Sequence, residues 1–87
     1  MQMKKINPRN DDIYEIIAVN IKKYRKLAHM TQAELADKTN YSHEFIRRIE
    51  AQSGKKYFSI DTIVQISKAL DINVEKLFEG INKKGKD

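Results

Sequence analysis

Between positions 42 and 50 the chain sets His43, Glu44, Arg47 and Arg48 within one short stretch. These side chains do not make a nucleophile and its base. Ser42 and His43 are neighbours, and adjacent helix residues point about 100° apart, too far for a catalytic pair. The set is suited to reading the edges of nucleic-acid bases. An arginine grips guanine O6 and N7 with two hydrogen bonds, which gives ~1–3 kcal/mol of discrimination; a histidine donates to the same atoms, and a glutamate accepts from the cytosine amino group. On a helical wheel Ser42, Ile46 and Ile49 fall within about 60° of each other and form an inward seam. Glu44, Arg47 and Arg48 lie opposite, and His43 and Phe45 occupy the boundaries. Arg48 stands one turn beyond Glu44 and is the preferred base reader, with Arg47 better placed for a phosphate. A Glu44–Arg48 ion pair worth only ~0.3–0.5 kcal/mol is expected, able to open on binding. Phe45 is expected to pack under Tyr41 rather than to meet a thymine methyl.

Such a helix must be held by others. Asn10 or Asp11 can cap a first helix that runs to about residue 27, with Ile13, Ile16, Ile17, Ile21 and Tyr24 at helical spacing. Thr31-Gln32-Ala33-Glu34 has the form of a capping box and opens a second helix, over 32 to about 38. Asn40 suits a left-handed turn, and Ser42 caps the third helix, which ends at about 50. The segment 51–58 reads as a loop. Ser59 caps a fourth helix carrying Ile60, Ile63, Ile66, Ser67 and Leu70 on one side. Asn73 caps a short fifth helix carrying Val74, Leu77 and Phe78, and Gly80 ends it. No strand pattern or repeat is visible. The expectation is an all-α, compact five-helix bundle in which helices 2 and 3 form a helix-turn-helix. Residues 1–10 read as a mobile basic arm, 11–79 as the folded domain and 80–87 as a basic flexible tail.

With 87 residues and no cysteine, the chain is one small domain without disulfides or cysteine-based zinc sites. Its two histidines are too isolated for a metal site, and a surface role is expected for His29. No cofactor is expected. The longest apolar run covers 16–19, far short of the roughly 20 residues of a membrane span. No secretory leader is visible either, so a cytoplasmic protein is expected. The net charge is +5, and it is polarised. Residues 22–58 hold nine bases against four acids, whereas 59–79 hold two bases against four acids. One basic section between basic ends suggests a polyanion on one face.

The run Thr31-Gln32-Ala33-Glu34-Leu35-Ala36-Asp37-Lys38, then Tyr41-Ser42, then Ile46-Arg47-Arg48-Ile49-Glu50, resembles the Cro/repressor type of helix-turn-helix, the XRE family. Ile63, Ile66 and Lys68-Ala69-Leu70 extend the resemblance, which covers residues 13–78. The resemblance implies a small Ala36 where helices 2 and 3 pack closely, and a structural ion pair between Arg25 and Glu50. It implies that Gln32 bonds a DNA phosphate and buttresses helix 3, and that His43 and Glu44 stand at base-reading positions beside Arg47 and Arg48. Lys55 and Lys56, in the loop after helix 3, are expected on phosphates. Asn40 and Asp71 stand where the family usually has Gly, as does Gln52, and Tyr57-Phe58 replaces a usual Pro. The expected function is sequence-specific binding of double-stranded DNA by a transcriptional regulator, a repressor rather than an enzyme. A homodimer through helices 4 and 5 is expected. The alternative is a protein-interaction or antitoxin-type module in which Ile72, Leu77 and Phe78 dock a protein partner.

Overall fold

The computed structural model describes residues 8–51 and 57–81, with side chains from residue 13 onward. These residues form α1 (Pro8–Leu27), α2 (Gln32–Thr39), α3 (His43–Glu50), α4 (Ile60–Leu70) and a 3-10 helix (Val74–Phe78), with no strand among them. The helix α1 begins at Pro8, ahead of the expected cap at Asn10 or Asp11. Proline suits the first helical position, where its fixed φ is already helical and its missing N–H would have had no partner. The capping box at the start of α2 is complete. The Glu34 amide donates to Thr31 Oγ1 at 3.0 Å, and the Thr31 amide donates to Glu34 Oε1 at 2.8 Å. Ser42 and Ser59 cap α3 and α4 by accepting from the Phe45 and Thr62 amides.

Three helix ends are turned by left-handed residues other than glycine, while Gly80, at φ 94°, follows the 3-10 helix as expected. Asn40 at φ 68° closes α2, and Asp71 at φ 59° closes α4. His29, at φ 56°, does the same for α1. Its amide donates to the Lys26 carbonyl and the Met30 amide to the Arg25 carbonyl, the paired closing bonds of a Schellman motif. Asn and Asp enter this left-handed region at small cost, so Gly is not needed at 40 or 71.

The core draws on every element: Ile17, Ala18 and Ile21 from α1, Leu35 and Ala36 from α2, Ile46 and Ile49 from α3, Ile63, Ile66 and Leu70 from α4, and Leu77 from the 3-10 helix. Helix α2 packs on α3 and α4, and α1 lies across α3, α4 and the 3-10 helix. Ala36 is buried in this core with no side chain beyond its methyl, which leaves room for close helix packing.

Three expectations are corrected. The fifth helix is a five-residue 3-10 turn, and Asn73 gives it no side-chain cap; the Lys76 amide donates to the Asn73 carbonyl instead. So short a segment satisfies few i→i−4 bonds, and the tighter i→i−3 pattern suits it. Ile60 is 76% exposed rather than part of the α4 core face, because it stands a full turn before Ile63, beyond the edge of the core. Ser42 is exposed, since a capping residue lies outside the helical wheel and turns its hydroxyl to the first-turn amides.

The 3-10 helix and Glu79 are tied to α1 by polar contacts. Buried Asn20 donates from Nδ2 to the Leu77 carbonyl at 2.9 Å and the Glu79 carbonyl at 3.0 Å. Tyr24 donates its hydroxyl to Glu79 Oε1 at 2.6 Å, and Lys23 and Lys76 stand 3.6 and 3.7 Å from the same carboxylate. The Tyr24 hydroxyl foremost, then the two lysines, hold the Glu79 carboxyl below the ordinary carboxylate range, while the same bond pushes Tyr24 up. A lowered carboxyl stabilises the fold above the ordinary carboxylate pKa, and the gain is lost as pH falls through the folded value. Glu79→Gln is therefore expected to lower the urea midpoint at neutral pH and to match the native protein in acid. A gap that persists unchanged in acid contradicts this role for Glu79.

Candidate nucleic-acid interface

The structure brings together Arg25, in the last turn of α1, and Glu50, at the end of α3. Arg25 donates from Nε to Glu50 Oε2 at 2.7 Å and from Nη2 to Glu50 Oε1 at 2.8 Å. The two side chains are only 8% and 1% exposed. A third Arg25 bond, from Nη1, reaches the Met30 carbonyl at 2.7 Å, on the turn that leads into α2. Gln32, the first residue of α2, donates from Nε2 to Glu50 Oε1 at 3.0 Å. The carboxylate thus accepts three bonds, and the guanidinium is held in its charged form above its ordinary value by the bond to Glu50. The pair joins the end of α1, the start of α2 and the end of α3. Gln32 is half-buried and has its amide N–H on Glu50, which is the buttressing of α3 expected of it.

The other end of α3 is braced by aromatic contacts. The rings of Tyr41 and Phe45 lie 4.9 Å apart between centroids, so Phe45 packs against Tyr41. The Tyr41 hydroxyl in turn donates to Thr62 Oγ1 on α4 at 3.3 Å. Tyr14 of α1 meets Tyr57 and Phe58 edge-on, both at 5.3 Å, and fixes the approach to α4. With Ile46 and Ile49 buried below, α3 has one defined rotation about its axis.

That rotation displays the outer face. His43, Glu44, Arg47 and Arg48 are all exposed, on the side away from the core. Glu44 pairs with Arg47, three residues on, and lies 3.9 Å from Arg48 Nε, four residues on. The Arg47 pair was not among the expected ones, although i,i+3 residues also share a helix face. An open groove of about 520 Å³ runs beside this face, lined by Arg25, Lys26, His29, Met30, Thr31, Gln32, Ala33 and His43. It brings His29 to the same surface as His43. The sequence offered one signal for this: His29 lies between the last basic turn of α1 and the capping box, where the chain has to reverse. Lys55 and Lys56 lie outside the described residues, as do Lys4 and Lys5 and the Arg9 side chain. Among the described residues no helix is long and apolar enough to cross a membrane.

Two short helices in tight contact, the second presenting a polar basic face beside the first, define a helix-turn-helix DNA-binding module. Residues 21–77 match the helix-turn-helix family, so the match runs from the last third of α1 through α2, α3 and α4 into the 3-10 helix. The chain belongs to this family, in its XRE branch, and is an all-helical DNA-binding transcription regulator. It is similar to Control protein C.SmaI of Serratia marcescens, with 30% identity over 66 residues that make up 76% of each chain.

The buried pair sets the expected cost of damaging the frame. Glu50→Gln strands the Arg25 charge and is expected to lower stability by ~3–5 kcal/mol in fluorescence-detected chemical unfolding. A loss below ~1 kcal/mol is what an exposed pair would give and contradicts the buried arrangement.

Proposed function

We propose that the protein is a sequence-specific repressor that reads the major groove of double-stranded DNA with α3. The observation that carries this reading is the exposed set His43, Glu44, Arg47 and Arg48 on a helix whose opposite face and both ends are fixed to the rest of the fold. A single helix fits the major groove, where each base pair presents a distinct pattern of donors and acceptors. Arg48 is assigned to guanine, Glu44 to a cytosine amino group, His43 to guanine or phosphate, and Arg47 to either. Gln32, Lys55 and Lys56 are assigned to phosphates, which fix register without carrying sequence information. The role is binding rather than catalysis.

Two copies are proposed to act together through α4 and the 3-10 helix. Val74 and Phe78 leave 37% and 39% of their surfaces exposed there, beside the buried Leu77. Half-sites would then lie about one helical turn of DNA apart. Likeness to a protein called a control protein supports a regulatory role.

Selection from a random pool of duplex DNA tests the reading. The protein is expected to enrich an inverted repeat that Arg48→Ala fails to enrich. Retention without any enriched sequence contradicts sequence reading, and no retention contradicts DNA binding altogether. With about eight phosphate contacts per dimer, the log–log slope of affinity against salt is expected to be about −7, and a slope near zero contradicts the electrostatic assignment. Sedimentation with the enriched duplex is expected to give two protein chains per repeat; one chain per repeat contradicts the dimer.

A further inference from the structure

Glu44 sits on the outer face of α3 with each carboxylate oxygen turned to an arginine. Oε1 pairs with Arg47 and Oε2 faces Arg48. A carboxylate in the first turn of a helix needs only the nearby amides to be favourable. Here it holds the two arginines assigned to DNA, and all three side chains are more than half exposed, at 57%, 58% and 67%. Resting on the DNA-reading role proposed above, we propose that Glu44 is a specificity-determining residue that withholds Arg47 and Arg48 from DNA of the wrong sequence.

Docking on phosphates alone would pull each arginine off Glu44 and leave the carboxylate facing the polyanion with no partner. A half-site that presents a cytosine close to guanine gives the carboxylate and one arginine new partners, and a phosphate takes up the other arginine. The cytosine N4 amino group donates to Glu44, and guanine O6 and N7 accept from an arginine. Four residues of helix advance about 6 Å along the axis, so Glu44 and Arg48 address bases within two steps of one another. The carboxylate therefore weakens binding everywhere and is compensated only at the matching site. Discrimination comes from a repulsive element as well as from attractive ones.

The test compares wild type, Glu44→Gln and Glu44→Asp on two probes: the duplex enriched by the wild-type protein and a duplex of the same composition in scrambled order. Circular dichroism establishes that each variant is folded. Glu44→Gln adds one net positive charge to each α3, and at 0.15 M salt is expected to bind the scrambled duplex about fivefold tighter per helix, with a salt slope steeper by about 0.9 per helix. Its preference for the enriched duplex falls by the same factor or more. Glu44→Asp keeps the charge and is expected to stay within about twofold of wild type on the scrambled duplex while losing its preference for the cytosine. If Glu44→Gln shows wild-type affinity and slope on the scrambled duplex, the role given to Glu44 is overturned and the DNA-reading role stands. If the wild-type protein enriches no duplex, both fall.

Discussion

A single buried charge pair sets the geometry on which the remainder of the fold depends. Arg25 and Glu50 are taken almost wholly out of water, and that step is unfavourable unless each charge is well satisfied. The site meets the condition by numbers and direction. Two parallel guanidinium–carboxylate bonds, one bond to the Met30 carbonyl and one from Gln32 leave little freedom in either side chain. An apolar pair would pack here at less desolvation cost but would not specify direction. The fork of an arginine on a carboxylate fixes both distance and orientation. Because its contacts reach α1, the turn before α2, α2 itself and α3, the pair sets where the end of α3 lies relative to the other two helices.

The reading face follows from that constraint. Side chains that discriminate bases must be placed within fractions of an ångström, which favours rigid elements with supporting contacts behind them. The helix α3 has only eight residues, too few to be stable alone in water. Its shape is imposed by the buried Ile46 and Ile49, by the Ser42 cap, by the Tyr41–Phe45 stack and by the Arg25–Glu50 pair. Each of these contacts lies on the inward face or at an end. The outward face is therefore free of structural duty, and polar residues there are available for recognition. The latch of Asn20 and Tyr24 onto residues 77–79 works on the far side and holds the 3-10 helix against α1.

What could be read from the sequence follows the range of the interactions. The capping box at Thr31 and Glu34, the serine caps at 42 and 59 and the left-handed Asn40 depend on residues three or four apart, and the pattern alone placed them. The inward seam of Ile46 and Ile49 was legible from helical spacing for the same reason. Arg25 and Glu50 are 25 residues apart, and no spacing rule links them; resemblance to a family suggested that pair. Asn20 reaches carbonyls 57 and 59 residues away, and no local pattern marks such a bond. The wheel misjudged Ile60 because a wheel shows angle and not depth along the helix. It misjudged Ser42 because a cap is not yet helical. Five residues cannot display a period, so the sequence does not distinguish the 3-10 helix from an α-helix. His29 is exposed, as expected; its place in the turn before the capping box hints at this surface, but the groove that it shares with His43 is set by the packing of the helices.

The central claim is that α3 reads base edges in the major groove, and it is tested most directly by atom-level substitution in the DNA. In the enriched duplex, each guanine assigned to Arg48 is replaced by 7-deazaguanine, which removes the N7 acceptor from the major groove. It is separately replaced by hypoxanthine, which removes the N2 amino donor from the minor groove. The account predicts that the first change lowers wild-type affinity about tenfold, has little effect on Arg48→Ala, and that the second change costs almost nothing. Affinity that is insensitive to the loss of N7 and sensitive to the loss of the N2 amino group would place the contact in the minor groove and contradict the account.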